Sequence, residues 1–111
     1  MDSLKNKHCK PCEGGVCPLD ESDSSRNLEQ LPGWELTRDK TGIRRTFGFK
    51  DFSATILFIN AMAFISEQQG HHPDFKAGYN YCEVCYTTHA IGGLSENDFI
   101  CAAKINELLE A

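Results

Sequence analysis

Three of the chain's four histidines fall between residues 71 and 89, as the adjacent pair His71-His72 and then His89. Imidazole is the side chain whose ordinary pKa, about 6.5, lets it give and take a proton near neutrality. Pro73 follows the pair at once; its ring biases His72 toward extended backbone and fixes the direction of the chain after it. Two imidazoles on a stiff connection, with a third across a strand, are the parts of a general acid–base site. Glu67 and Asp98 are the candidate carboxylates for orienting them. Glu67 precedes His71 by one helical turn, so it reaches that ring if the helix end stays regular. Asp98 also reads as a structural group. Ser95-Glu96-Asn97-Asp98 has the form of a capping box, in which Asp98 accepts from the Ser95 amide. Capping the helix and orienting His89 are then competing demands on one carboxylate.

The elements that must position these groups are read from periodicity and stop signals. Asp20, Ser22 and Asp23 offer N-cap chemistry and Leu28 and Leu31 share a helical face, which predicts a short helix over about 21–30, stopped by Pro32-Gly33. Trp34 to Arg38 and Ile43 to Phe49 alternate as strands around the turn Asp39-Lys40-Thr41-Gly42, a hairpin. Asp51 or Ser53 caps a helix that reaches about Gln69, with Gly70 as its terminator. The middle of that helix, Ile56 to Ile65, is apolar nearly all round, so it packs on the sheet with one side and on another subunit with the other. Its C-terminus lies just ahead of His71 and favours a protonated imidazole there.

After Pro73, the chain from Phe75 to Tyr81 leads into a strand running to about His89, which puts Glu83, Cys85, Thr87 and His89 on one face. Gly92-Gly93 turns the chain, and Ser95 opens a last helix with the stripe Phe99, Ala102, Ala103, Ile105, Leu108 and Leu109. The expected fold class is α+β: a single domain with an antiparallel four-stranded sheet and about three helices packed on one face. Residues 1–19 read as an irregular Cys-containing N-terminal segment and 20–111 as the domain. If the segment is not a metal site, deleting residues 1–18 is expected to leave the chemistry largely unchanged.

Composition narrows the function classes. A net charge of −5 argues against direct nucleic-acid binding, which needs clustered Lys and Arg. No stretch reaches the roughly 18 apolar residues of a membrane span. Met1 to Lys10 is polar and lacks a secretory core, which points to the cytoplasm, with the nucleus as an alternative, and to six reduced cysteines. His8, Cys9, Cys12 and Cys17 supply enough soft ligands for a tetrahedral zinc, although the favoured reading is free thiols and no metal. Cys82 and Cys85 lie an odd number of residues apart on a strand, point to opposite faces, and cannot grip one metal.

Taken in order, Glu67-x-x-x-His71-His72-Pro73, then Tyr79-Asn80, then Thr88-His89-x-x-Gly92-Gly93-Leu94-Ser95-x-x-Asp98 resemble the pterin-4a-carbinolamine dehydratases. The resemblance runs through Leu31-Pro32-Gly33-Trp34 and covers about residues 19–110; Cys9-x-x-Cys12-x-Gly14-Gly15 is similar to a segment of many microbial members. It implies dehydration of a 4a-hydroxytetrahydropterin to the quinonoid dihydropterin, recycling the cofactor of aromatic amino-acid hydroxylases. It implies no metal or redox cofactor, and a homodimer or homotetramer. Carried over by motif, His71 and His89 become proton donor and acceptor on opposite sides of the ring, while His72 contacts the pterin and the leaving oxygen. Glu67 and Asp98 support them, and Pro73, Phe75, Thr87 and Thr88 become substrate-binding candidates, with Tyr79 and Asn80 shaping the pocket. Two departures stand out. Gly70 replaces the acidic or polar residue that many members carry before the pair, and Phe75 stands where tryptophan is common. Two rival readings are a non-catalytic oligomeric binding or regulatory module with a protein partner, because some members act as dimerisation cofactors of a homeodomain transcription factor, and a dehydratase-like protein acting on another pterin. The three intact histidines favour the enzyme.

Overall fold

Aspartate, proline and glycine divide the chain into its elements. The computed structural model describes residues 3–10 and 18–109. A 3-10 turn at Leu4–Asn6 comes first, followed by α1 (Glu21–Leu28), β1 (Glu35–Leu36), β2 (Ile43–Gly48), α2 (Phe52–Gln69), β3 (Asp74–Ala77), β4 (Tyr81–Tyr86), a second 3-10 turn at His89–Ile91, and α3 (Glu96–Glu107). Asp51 caps α2 by accepting from the Ala54 amide at 2.8 Å, and Gly70 ends it in the left-handed region at φ 64, where glycine carries no Cβ penalty.

The four strands form one antiparallel sheet in the order β1-β2-β4-β3, and the helices pack on one face of it. Pairing of Ile43 with Tyr86 and of Phe47 with Cys82 brings alternate residues of β2 and β4 to that face. Phe47 meets Phe58 of α2 at 4.7 Å between ring centroids, and Trp34 at 6.1 Å. Met62 of α2 and Phe99, Ile100 and Ile105 of α3 complete the buried layer. Each such side chain withdrawn from water contributes about 1.5–3 kcal/mol.

One expectation changes. The strand expected to run to His89 ends at Tyr86. Thr88 pairs only with Gly93 as an isolated bridge, and the chain then turns through the second 3-10 turn to Gly92, at φ 68. Thus Glu83 and Cys85 stay on the sheet, and His89 does not share their face. Residues 3–10 of the N-terminal segment pack against the domain. Leu4 is 3% exposed and joins the core, Lys7 pairs with Glu96 at 3.1 Å, and the Lys104 ammonium donates to Lys5 O at 2.8 Å. Residues 3–10 thus form a strap across α3.

The strap generates a stability prediction. Leu4→Ala should lower unfolding free energy in urea by about 2–5 kcal/mol, the range for deleting a buried leucine side chain. A loss under about 0.5 kcal/mol would show the strap to be an ornament on an independent domain.

Candidate active site

The end of α2 decides where the imidazoles go. With Gly70 left-handed, the His71 amide donates back to Ser66 O at 3.1 Å, which closes the helix and turns the chain outward. That turn changes a partner. Glu67 was expected one helical turn from His71; it instead meets His72, Oε1 to Nε2 at 2.6 Å, on the exposed surface. Exposed ion pairs of this kind hold weakly, so His72 is steered rather than locked.

His71 is held far more firmly. Its ring stacks on Tyr86 with centroids 5.6 Å apart and planes 12° from parallel. The Tyr86 hydroxyl is itself bonded to Ser66 Oγ at 2.8 Å, and burial pushes the phenol pKa up. On the other side, His71 Nε2 lies 2.6 Å from Asp98 Oδ1. Asp98 is 0% exposed. Its second oxygen, Oδ2, accepts from Thr88 Oγ1 at 2.8 Å and from the Ser95 amide at 2.9 Å. Because Thr88 gives its one hydroxyl proton to Asp98, Ser95 Oγ is the donor in the 2.8 Å contact between the two hydroxyls.

The capping box is therefore real, and Asp98 orients an imidazole as well. The expectation of competition fails because the two oxygens divide the work. The imidazole it orients is His71, however, not His89.

Burial by itself would lower the His71 pKa; the hydrogen bond and negative charge of Asp98, with a smaller contribution from Cys9, outweigh it, and the pKa is raised above the ordinary value. With Nε2–H committed to the carboxylate, Nδ1 is the nitrogen left for proton exchange.

An open cleft of about 640 Å³ brings the candidates together: His71, His72, His89, Glu67, Thr87 and Thr88 all line it. His89 sits exposed on the second 3-10 turn, and Thr87 ties this wall to the β1–β2 turn by donating to Thr41 O at 2.5 Å. Pro73 and Phe75 are not among the lining residues; Phe75 is 52% exposed on edge strand β3. Tyr79 and Asn80 lie at the other end of α2, where Tyr79 stacks on Phe52 and its carbonyl accepts from Thr55 Oγ1. Sequence reasoning missed Cys9, Gln69 and Asn97, which also line the cleft, and the supporting pair Tyr86 and Ser66. Strand alternation marks Tyr86 as inward, but no local signal announces that it carries a histidine. Among the described residues no group of three or more His, Cys, Asp or Glu side chains is placed to hold a metal ion. The zinc reading rests on Cys12 and Cys17, which lie outside the described residues.

Known proteins share this chain's sequence and fold. The family model described as Pterin 4 alpha carbinolamine dehydratase matches residues 17–108. A relative from Nitrosomonas eutropha whose name places it in that family is 56% identical, over 96% of this chain and 93% of its own. A second, from Nitrosospira multiformis, is 54% identical over 99% of this chain and 96% of its own. The crystal structure of a transcriptional coactivator/pterin dehydratase from Brucella melitensis is similar with a TM-score of 0.81 and 34% identity, covering 84% of this chain and 99% of that one. A pterin dehydratase-like protein identified as a RuBisCO assembly factor in the alpha-carboxysome shares the fold, with a TM-score of 0.62 and 22% identity over 74% of this chain and 95% of that one.

The His71–Asp98 geometry sets a titration prediction. By NMR, His71 should titrate above 6.5; in Asp98→Asn, burial is opposed only by the smaller effect of Cys9 and the pKa should fall. Since the folded pKa is the raised one, the pair's contribution to stability is complete below about pH 6.5 and is lost as pH rises through the folded value. An unchanged His71 titration in the variant would contradict the assignment.

Proposed function

The chain belongs to the pterin 4 alpha carbinolamine dehydratase family, whose members are hydro-lyases, and from that premise we propose that it dehydrates 4a-hydroxytetrahydrobiopterin by histidine acid–base catalysis. The reaction removes the N5 proton, adds a proton to the 4a-hydroxyl, breaks the C4a–O bond, and yields quinonoid dihydropterin and water. One residue must donate and another accept, on opposite sides of the ring. His71 and His89, which both line the cleft, are assigned to those roles. The upward shift of the His71 pKa favours its protonated form, which suits the donor. His72, exposed and steered by Glu67, contacts the pterin and the departing oxygen, with Thr87 and Thr88 shaping the wall. The physiological role that follows is recycling of the pterin cofactor of aromatic amino-acid hydroxylases in the cytoplasm. The observation that carries the reading is a single cleft lined by all three imidazoles, one of them anchored on a buried carboxylate.

Purified protein mixed with freshly generated 4a-hydroxytetrahydrobiopterin should speed quinonoid dihydropterin formation, followed by absorbance, and a zinc chelator should leave the rate unchanged. His72→Ala should remove most of that acceleration, about 10²-fold or more, while keeping the far-UV circular dichroism of the parent, because an exposed side chain contributes little to folding. Parent-like turnover in the variant would contradict the assignment.

A specific observation also favours self-association. Leu57 and Phe64 of α2 are 69% and 65% exposed; seven residues apart, they share one stripe on the side opposite Phe58 and Met62, with Ile56 and Phe52 beside it. We infer that a second copy of the chain covers this face, giving a homodimer or homotetramer. Leu57→Glu should lower the molar mass measured by light scattering to that of a smaller species; an unchanged mass would place the interface elsewhere.

A further inference from the structure

Cys9 and Cys101 take no part in the proton chemistry, yet they lie beside it. Their sulfurs are 3.6 Å apart. Cys9 lines the histidine cleft, and the Cys101 sulfur faces His71 O at 4.0 Å. The contact is held from both sides of the strap. The Cys9 amide donates to Gln69 Oε1 at 2.8 Å, the Lys10 amide donates to Asn97 Oδ1 at 3.0 Å, and Asn97 Nδ2 returns a bond to Lys10 O at 2.5 Å. The strap also precedes residues 17–108, the stretch matched to the family. We propose that Cys9 and Cys101 form a peroxide-sensitive thiol pair whose disulfide slows the neighbouring site.

The two thiols are unequal in a way that suits this chemistry. The hydrogen-bond contact with Cys101, in which either sulfur can donate, lowers the Cys9 pKa against the opposing effect of burial, with the His71 charge assisting. The same hydrogen bond, together with burial, raises that of Cys101. Cys9 is also the one within reach of solvent, since Cys101 is fully buried. A thiolate is the reactive form. The Cys9 thiolate attacks one oxygen of a hydroperoxide, the O–O bond breaks, and the remaining oxygen leaves as alcohol or water after taking up a proton. Cys9 is then a sulfenic acid. The Cys101 sulfur attacks the Cys9 sulfur, the S–O bond breaks, and hydroxide departs as water with the Cys101 proton. Two electrons pass from the sulfurs to the peroxide, and a dithiol reductant reverses the change.

A disulfide requires about 2.05 Å between sulfurs, so the two sulfurs must approach by about 1.5 Å. That movement occurs under His71, whose carbonyl faces Cys101 and whose ring is fixed 2.6 Å from Asp98. Displacement of a catalytic group by about 1 Å can cost up to 10²-fold in rate. The crosslink does not depend on the pterin reading; only its effect on turnover rests on that reading.

The test treats the full chain with hydrogen peroxide, blocks free thiols, maps crosslinked peptides by mass spectrometry, and measures dehydration before treatment, after it, and after dithiothreitol. The expected result is a Cys9–Cys101 peptide that accumulates as the rate falls about tenfold or more, with recovery on reduction. Cys9→Ser and Cys101→Ser should each keep their own untreated rate under peroxide, and the first serves if the second, at a buried position, folds poorly. Absence of the peptide, Cys9 joined instead to Cys12 or Cys17, or a crosslinked protein at full rate would overturn the proposal. A chain that forms the crosslink but never accelerates dehydration would uphold the thiol pair and overturn the pterin reading.

Discussion

A carboxylate with no exposure to water must have every lone pair answered, and Asp98 meets that demand by facing two ways. Burying an unpaired charge costs several kcal/mol. Here Oδ2 takes the Ser95 amide and the Thr88 hydroxyl, and Oδ1 takes His71. The first pair of bonds starts α3 and ties it to the chain leaving β4. The third fixes an imidazole that lines the cleft. A helix cap, a loop anchor and the partner that orients an imidazole thus share one side chain, and none can shift alone.

The rest of the architecture keeps that junction in place. Tyr86, last residue of β4, supplies the flat surface on which His71 rests and is itself tied to Ser66 of α2. Ser66 also receives the His71 amide through its carbonyl. Sheet, α2 and α3 therefore converge on one ring. His72 and His89 lie further out, on a helix exit and a 3-10 turn, where side chains have more freedom to adjust to a substrate. A firmly held, largely buried imidazole and two exposed ones thus line the same cleft.

Much of this was legible in the sequence where the signals are local. Asp51 and Gly70 mark α2, the alternation of Ile43 to Gly48 marks β2, and Ser95-x-x-Asp98 marks the start of α3. The histidine trio was legible too, because its order and spacing resemble one family closely. Partner assignments were not. Helical spacing put Glu67 beside His71, but the left-handed Gly70 rotates the chain and hands Glu67 to His72. Alternation carried β4 through to His89, whereas Thr88 is drawn out of the sheet by Gly93 and Asp98. The strap left no trace because its contacts are long-range: Leu4 enters the core and Cys9 meets Cys101 across nearly the whole chain. No window of sequence contains both partners of such a contact.

The central claim is that the histidine cleft is where a pterin binds. A crystal structure with a bound dihydropterin tests it most directly. The account predicts the bicyclic ring in the cleft between His71 and His89, with its C4a–N5 edge toward the histidines and no displacement of His71 from Asp98. A ring seated elsewhere, for example in the groove of about 380 Å³ beside Pro32, Arg45 and Asn106, would contradict it.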